Sequence, residues 1–161
     1  MSLYDLEDTI CAIATPPGVG GLSVIRLCGR GSLDVIKKLC HFLPETPETH
    51  RAYYGFLKTA KGDFIDEVIV TYFKEGRSFT GNDVFEISCH GNQAICRSIL
   101  DELIDGGARL AYKGEFTFRA FSSGRIDLIQ AESVLSLIES SSEKSKTVSY
   151  THLTLPTICS V

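Results

Sequence analysis

Two hydrophobic periodicities divide the chain. Residues 10–14 and 22–27 are short, nearly continuous apolar runs, which read as buried strands on either side of the loop Thr15-Pro16-Pro17-Gly18-Val19-Gly20-Gly21. Leu33, Ile36, Leu39 and Cys40 then recur at helical spacing. Residues 51–57 and 64–73 are rich in aromatic and β-branched side chains and are parted by Lys61-Gly62-Asp63, the pattern of a hairpin. A further strand is predicted over 84–89. Ile95, Ile99 and Leu103, flanked by Cys96, Leu100 and Ile104, form a wide apolar stripe, so residues 93–104 are predicted as a core-facing helix ending before Gly106-Gly107. Strand-like residues 108–112 lead into a short helix over 114–121, closed by Gly124. Asp127 and Gln130 have the spacing of a capping box for a last helix with Leu128, Ala131, Leu135 and Ile138 on one face, running to about Ser145. All 14 glycines lie at or before Gly124, so a turn-rich sheet region gives way to helix there. From Thr147 the sequence has no period. Strands and helices interleaved with a hairpin predict an α+β domain carrying a terminal helix.

Composition narrows the function classes. At 43% hydrophobic and 22% charged, the 161 residues can form an ordinary globular core. A formal charge of -4 excludes a polycation that gathers nucleic acid through its overall field, so RNA contact would need a local patch. No apolar run approaches the ~20 residues of a membrane span. The first ten residues carry Asp5, Glu7 and Asp8 where a signal peptide needs positive charge. A cytoplasmic protein without membrane contact is expected. The cysteines at 11, 28, 40, 89, 96 and 159 include no CxxC pair and sit mostly in apolar segments, as buried, reduced thiols do. The histidines at 41, 50, 90 and 152 show no HxxxH, and Cys89 and His90 fall on opposite faces of a strand, so no metal site is expected.

Three charged residues stand out. Arg26 lies in Val24-Ile25-Arg26-Leu27-Cys28 and Glu86 in Val84-Phe85-Glu86-Ile87. Such charges pair with each other, face solvent from a half-exposed strand, or meet a ligand. A carboxylate accepts two N–H bonds from an amidine-like edge such as that of a pterin, and an arginine fork holds carboxylates or a formyl oxygen. Arg125 follows Gly124 in a segment where Arg109, Lys113, Arg119 and Arg125 outnumber Glu115, which reads as a solvated face. The glycine loop does not match a phosphate cradle. Position 23 is Ser23, a strand follows rather than a helix, and Gly-Lys occurs nowhere. No GxSxG and no cysteine oriented beside a base is present, so no catalytic residue is assigned.

Taken together, several blocks resemble one family. They are Asp8 to Gly21 followed by Arg26, then Ser78-Phe79-Thr80-Gly81-Asn82-Asp83 with Glu86, His90-Gly91, Gly114-Glu115-Phe116-Thr117 to Phe121, and Gly124-Arg125-Ile126-Asp127 to Glu132. In this order they resemble the amino terminus of the MnmE (TrmE) family of tRNA-modification GTPases over residues 8–145. The resemblance implies a fold like the tetrahydrofolate-binding domain of aminomethyltransferases over residues 1–122, with homodimerisation. It implies the first helix of a helical domain over 123–149, and a tail at 150–161 foreign to the family and expected to be disordered or artefactual. It assigns Arg26, Glu86 and Arg125 to a tetrahydrofolate derivative, 5-formyl- or methylene-tetrahydrofolate, as one-carbon donor. GTP, Mg and K are expected to belong to a GTPase domain beyond this chain, which is therefore expected not to hydrolyse GTP alone. The flavoprotein MnmG (GidA) and tRNA, modified at its wobble uridine, are expected as partners of the full-length protein. Two positions depart from the family pattern: Asn82 replaces a glutamate, and Asn92 replaces the second glycine after the histidine. A ligand-free dimerisation module and a stand-alone folate-dependent transferase remain alternatives.

Overall fold

The computed structural model describes residues 6–18 and 20–139. The predicted end of the last helix near Ser145, the tail at 150–161 and Cys159 lie outside them. Strands β1 (Ile10–Ile13), β2 (Leu22–Cys28), β3 (Arg51–Lys58), β4 (Phe64–Phe73), β5 (Val84–His90) and β6 (Arg109–Leu110) form one sheet in the order β3-β4-β5-β2-β1-β6. Every pairing is antiparallel except β1 with β6. Four helices accompany it: α1 (Ser32–Lys37), α2 (Gln93–Asp105), α3 (Glu115–Ser122) and α4 (Leu128–Glu139). The predicted hairpin is β3–β4, with Gly62 in the left-handed region at its turn.

Strand alternation sorts the side chains onto two unlike faces. Ile25 and Leu27 of β2, Phe85, Ile87 and Cys89 of β5, and Val68, Val70 and Tyr72 of β4 point one way. They meet Val35 and Ile36 of α1 and Cys96, Ile99 and Leu103 of α2 in one buried cluster. At ~1.5–3 kcal/mol for each large apolar side chain removed from water, this face carries most of the driving force for folding. The α2 stripe is narrower than the sequence pattern predicts. Ile104, ~100° around the helix from Leu103, is exposed.

On the other face, α3 covers one end only, where Phe116 joins Ile10, Cys28 and Val84. Beyond it, Ala12, Val24, Arg26, Thr71, Glu86 and Ser88 are only partly buried, and Tyr54 and Ile69 are exposed. This open face positions the site.

The glycine loop closes the β1–β2 hairpin and rests on the β5–α2 turn. Gly20 N–H donates to Gly91 O and Gly91 N–H to Gly21 O. A Cβ on Gly91 would collide with the Gly20 carbonyl, so the approach needs glycine there. Asn92, one of the two departures, caps α2: its Oδ1 accepts the Ala94 N–H at 2.8 Å. The predicted capping box is formed in both directions, with Asp127 Oδ1 accepting from Gln130 N–H and Gln130 Oε1 from Asp127 N–H, each at 2.8 Å.

The basic segment around α3 is a solvated face only in part, at Lys113 and Arg125. Glu115 and Arg119 are buried, at 0% and 1% exposure. Arg109 grips both Glu115 oxygens, at 2.6 and 2.9 Å, and both oxygens of Asp8. Arg119 donates to Asp8 Oδ1, to the Asp8 carbonyl and to Glu115 Oε1. Burial pushes the Glu115 carboxyl up, but the Arg109 bonds, the Tyr112 N–H and Arg119 outweigh it and hold the group below its ordinary value. Charge counting along the chain misses this because Glu115 and Arg119 leave the surface as a pair, and their further partner Asp8 lies more than 100 residues away.

Candidate functional site

Arg26 and Glu86 are cross-strand partners in the β2–β5 ladder, side by side on the open face. Their positions in the alternation force both away from the apolar cluster, which is why two charges can sit inside apolar strands. Arg26 Nε and Nη2 both donate to Glu86 Oε1, at 3.1 and 2.7 Å. The side chains remain 27% and 29% exposed. Of the readings open from sequence, mutual pairing is the one observed. It leaves capacity on both partners. Glu86 Oε2 accepts no hydrogen bond among the described residues, and Arg26 keeps further N–H donors. The ring of Phe116 lies 5.4 Å from the Arg26 guanidinium carbon and supports its flat face from α3.

Arg125 is exposed on the turn between α3 and α4. Its side chain lies beside Gly81 of the Ser78–Asp83 loop and makes no hydrogen bond or ion pair with Arg26 or Glu86. A Cβ placed on Gly81 would come within 3.5 Å of Arg125 Cγ and 2.5 Å of Ser123 Oγ. Gly81 itself has φ +85, so both its conformation and its neighbours require glycine. The loop is held from several sides. Ser123 Oγ donates to the Thr80 carbonyl at 2.8 Å and Thr80 Oγ1 meets Cys28 Sγ at 3.2 Å, while Asp83 Oδ1 accepts from Tyr72 OH at 2.7 Å. Cys28 ends β2 two residues after Arg26, so the α3–α4 turn that carries Arg125 is tied, through Ser123 and Thr80, to the strand that carries Arg26. Asn82, the other departure, contributes its carbonyl to Ser78 Oγ and no side-chain contact to the pair.

A second polar arrangement escaped the sequence reading. Asp66, buried in β4, accepts the His90 backbone N–H and the His90 ring at Nδ1, both at 2.8 Å. Burial raises the Asp66 carboxyl, but the His90 hydrogen bonds prevail and hold it below 3.8; Asp66 in turn lifts His90 above 6.5. The signal was present: Asp66 falls in phase with the inward-facing Val68, Val70 and Tyr72, where a carboxylate needs a partner. His90 borders a glycine-walled hollow of about 480 Å³ formed by Gly20, Gly21, Gly91, Asn92 and Gln93. A separate pocket of about 370 Å³ opens between the Thr15–Gly18 segment and α2, with Ser23, Cys96 and Arg97 in its wall.

The open face presents both a donor and an acceptor side by side. The free Glu86 oxygen can take an amidine-type N–H edge, while Arg26, braced by Phe116, can take an anionic or carbonyl oxygen. Among the described residues no helix is long and apolar enough to cross a membrane.

Residues 9–125 match the family model described as GTP-binding protein TrmE N-terminus. The chain is similar to a tRNA modification GTPase MnmE of Bdellovibrio bacteriovorus, 62% identical over 139 residues that cover 86% of this chain and 29% of that protein. Proteins of the same description from Fervidobacterium nodosum and Pseudothermotoga lettingae are each 46% identical over 86% of the chain and 31% of their own lengths. The chain thus spans less than a third of these curated relatives.

Proposed function

The chain belongs to the family of the TrmE amino terminus, and from that footing we propose that it binds a tetrahydrofolate derivative on the open sheet face and forms a homodimer, as a module of a cytoplasmic tRNA-modification GTPase. The observation that carries the reading is Glu86 Oε2, an unpaired carboxylate oxygen beside a braced arginine on a partly exposed face. Glu86 would accept the pterin N–H edge, Arg26 would hold a formyl or carbonyl oxygen, and Arg125 would approach from the α3–α4 turn. When bound, the folate would supply a one-carbon unit for wobble-uridine modification. GTP hydrolysis with Mg and K, tRNA and the flavoprotein MnmG enter through the longer protein.

Exposed Tyr54, Phe56 and Phe64, in ring contact at 6.0–6.1 Å, with Ile69 beside them, support the homodimer. An apolar patch of this kind on a sheet face is the surface a second copy would cover.

Calorimetric titration with 5-formyltetrahydrofolate tests the site. Each charged hydrogen bond lost is worth ~1.5–3 kcal/mol, so Glu86→Gln and Arg26→Ala should each weaken binding ~10-fold or more. Unchanged affinity in both rejects the assignment. A stable dimer that takes no folate favours the ligand-free module. One-carbon transfer by the chain alone favours the transferase.

A further inference from the structure

Cys89 and Cys96 play no part in the folate reading, yet they form the one close thiol pair among the described cysteines. Cys89 ends the inward row of β5 and Cys96 lies at the end of the first turn of α2, and their sulfurs stand 3.9 Å apart. Both are free and almost fully buried, at 1% and 4% exposure. They differ in access. Cys96 lines the 370 Å³ pocket on the helix-covered side of the sheet, whereas Cys89 lies behind it and donates its S–H to the Ser23 carbonyl at 3.6 Å. The pocket wall carries Arg97, with Thr15, Ser23 and Gln93 as neutral polar groups and no carboxylate. An anionic thiol reagent therefore meets one favourable charge and no repulsive one on its way to Cys96.

We propose that Cys96 and Cys89 are an oxidisable dithiol in which Cys96 attacks an anionic low-molecular-weight disulfide admitted by this pocket and Cys89 resolves the adduct. In the first step Cys96 gives up its proton to solvent and its thiolate bonds to one sulfur of the small disulfide, whose S–S bond breaks and releases one thiolate that takes a proton from solvent. In the second, Cys89 sulfur attacks Cys96 sulfur, the mixed disulfide breaks, and the departing thiolate takes up the Cys89 proton. The sum is two protein thiols plus one small disulfide giving one protein disulfide plus two small thiols. The order follows from access: Cys96 borders the pocket and meets the small disulfide first, whereas Cys89 lies behind it, where burial, then Cys96, pushes its thiol up. The bond would tie β5 to α2 beside the glycine loop, on the face opposite Arg26 and Glu86.

The test uses the full 161-residue chain with Cys159→Ser, treated with glutathione disulfide under native conditions and read by intact mass and peptide mapping. The expected result is loss of two hydrogens, a Cys89–Cys96 crosslinked peptide and full reversal by dithiothreitol. Cys89→Ser should stop at a stable glutathione adduct on Cys96, and Cys96→Ser should give neither adduct nor crosslink. Fold is checked in each variant by circular dichroism. Should a variant fail to fold, pulse alkylation of the parent decides: modification of Cys96 ahead of Cys11, Cys28, Cys40 and Cys89 supports the proposal. No crosslink in the folded parent, or alkylation of Cys96 only on unfolding, overturns it.

Discussion

Two groups of arginines and carboxylates teach opposite lessons about charge in this molecule. In the Asp8–Arg109–Glu115–Arg119 network, Glu115 and Arg119 are inaccessible, and both oxygens of Glu115 are taken by protein donors. In the Arg26–Glu86 pair one carboxylate oxygen is used, the other is free, and a quarter or more of each side chain faces solvent. The first arrangement spends both Glu115 oxygens within the protein and ties β6 and α3 to the segment before β1, although its outer members Arg109 and Asp8 stay 31% and 29% exposed. The second costs little to hold and keeps donors and an acceptor in reserve. Saturation and burial, rather than the presence of charge, separate a structural ion pair from one that keeps groups in reserve for a ligand.

That contrast can be broken most severely at Arg119. Arg119→Met leaves Glu115 buried with one cation fewer, and breaking such a network should cost ~3–5 kcal/mol, read as a fall in the urea midpoint or as failure to fold. An unchanged midpoint would show that the network is not structural. Glu86→Gln should do the reverse, losing ~1 kcal/mol or less of stability because the pair is partly exposed, while losing folate affinity. A stability loss as large as that of Arg119→Met would move the pair into the structural class.

The Asp66–His90 contact lies between the two extremes, because one partner is buried and the other exposed. Asp66 raises His90 above 6.5, so the protonated ring stabilises the fold fully below pH 6.5, and this contribution fades as pH rises through the folded value. Asp66 is held below 3.8, so its share is present above pH 3.8 and fades as pH falls through its folded value. Between about pH 5.5 and 8 the wild-type midpoint should therefore decline more steeply than that of His90→Gln. Parallel curves would refute the coupling. The smallest effect is expected at Ser123→Ala, which removes one hydrogen bond to the Thr80 carbonyl. A loss of ~1 kcal/mol is anticipated, with a modest weakening of folate binding through Arg125.

Much of this was legible along the chain. Strand runs, the α2 stripe and the Asp127–Gln130 box are local patterns, and local patterns report local structure. The oddity of Arg26 and Glu86 was also legible, because a charge within an apolar strand is improbable wherever it occurs. Their pairing was not, since it depends on β2 and β5 being neighbours in register although 60 residues separate the two side chains. The burial of Arg119 was hidden for the same reason: its partner Asp8 lies 111 residues away.

By itself, then, the sequence determined most of the elements and the family, and it singled out Arg26, Glu86 and Arg125 as candidates for one site. It could do so because periodicity, capping and motif spacing are written within a few residues of one another. Only the tertiary structure decided which charges are spent and which are available, which thiols meet, and which sheet face stays open. Those properties arise where distant segments remove each other from water, and no local pattern encodes the partner.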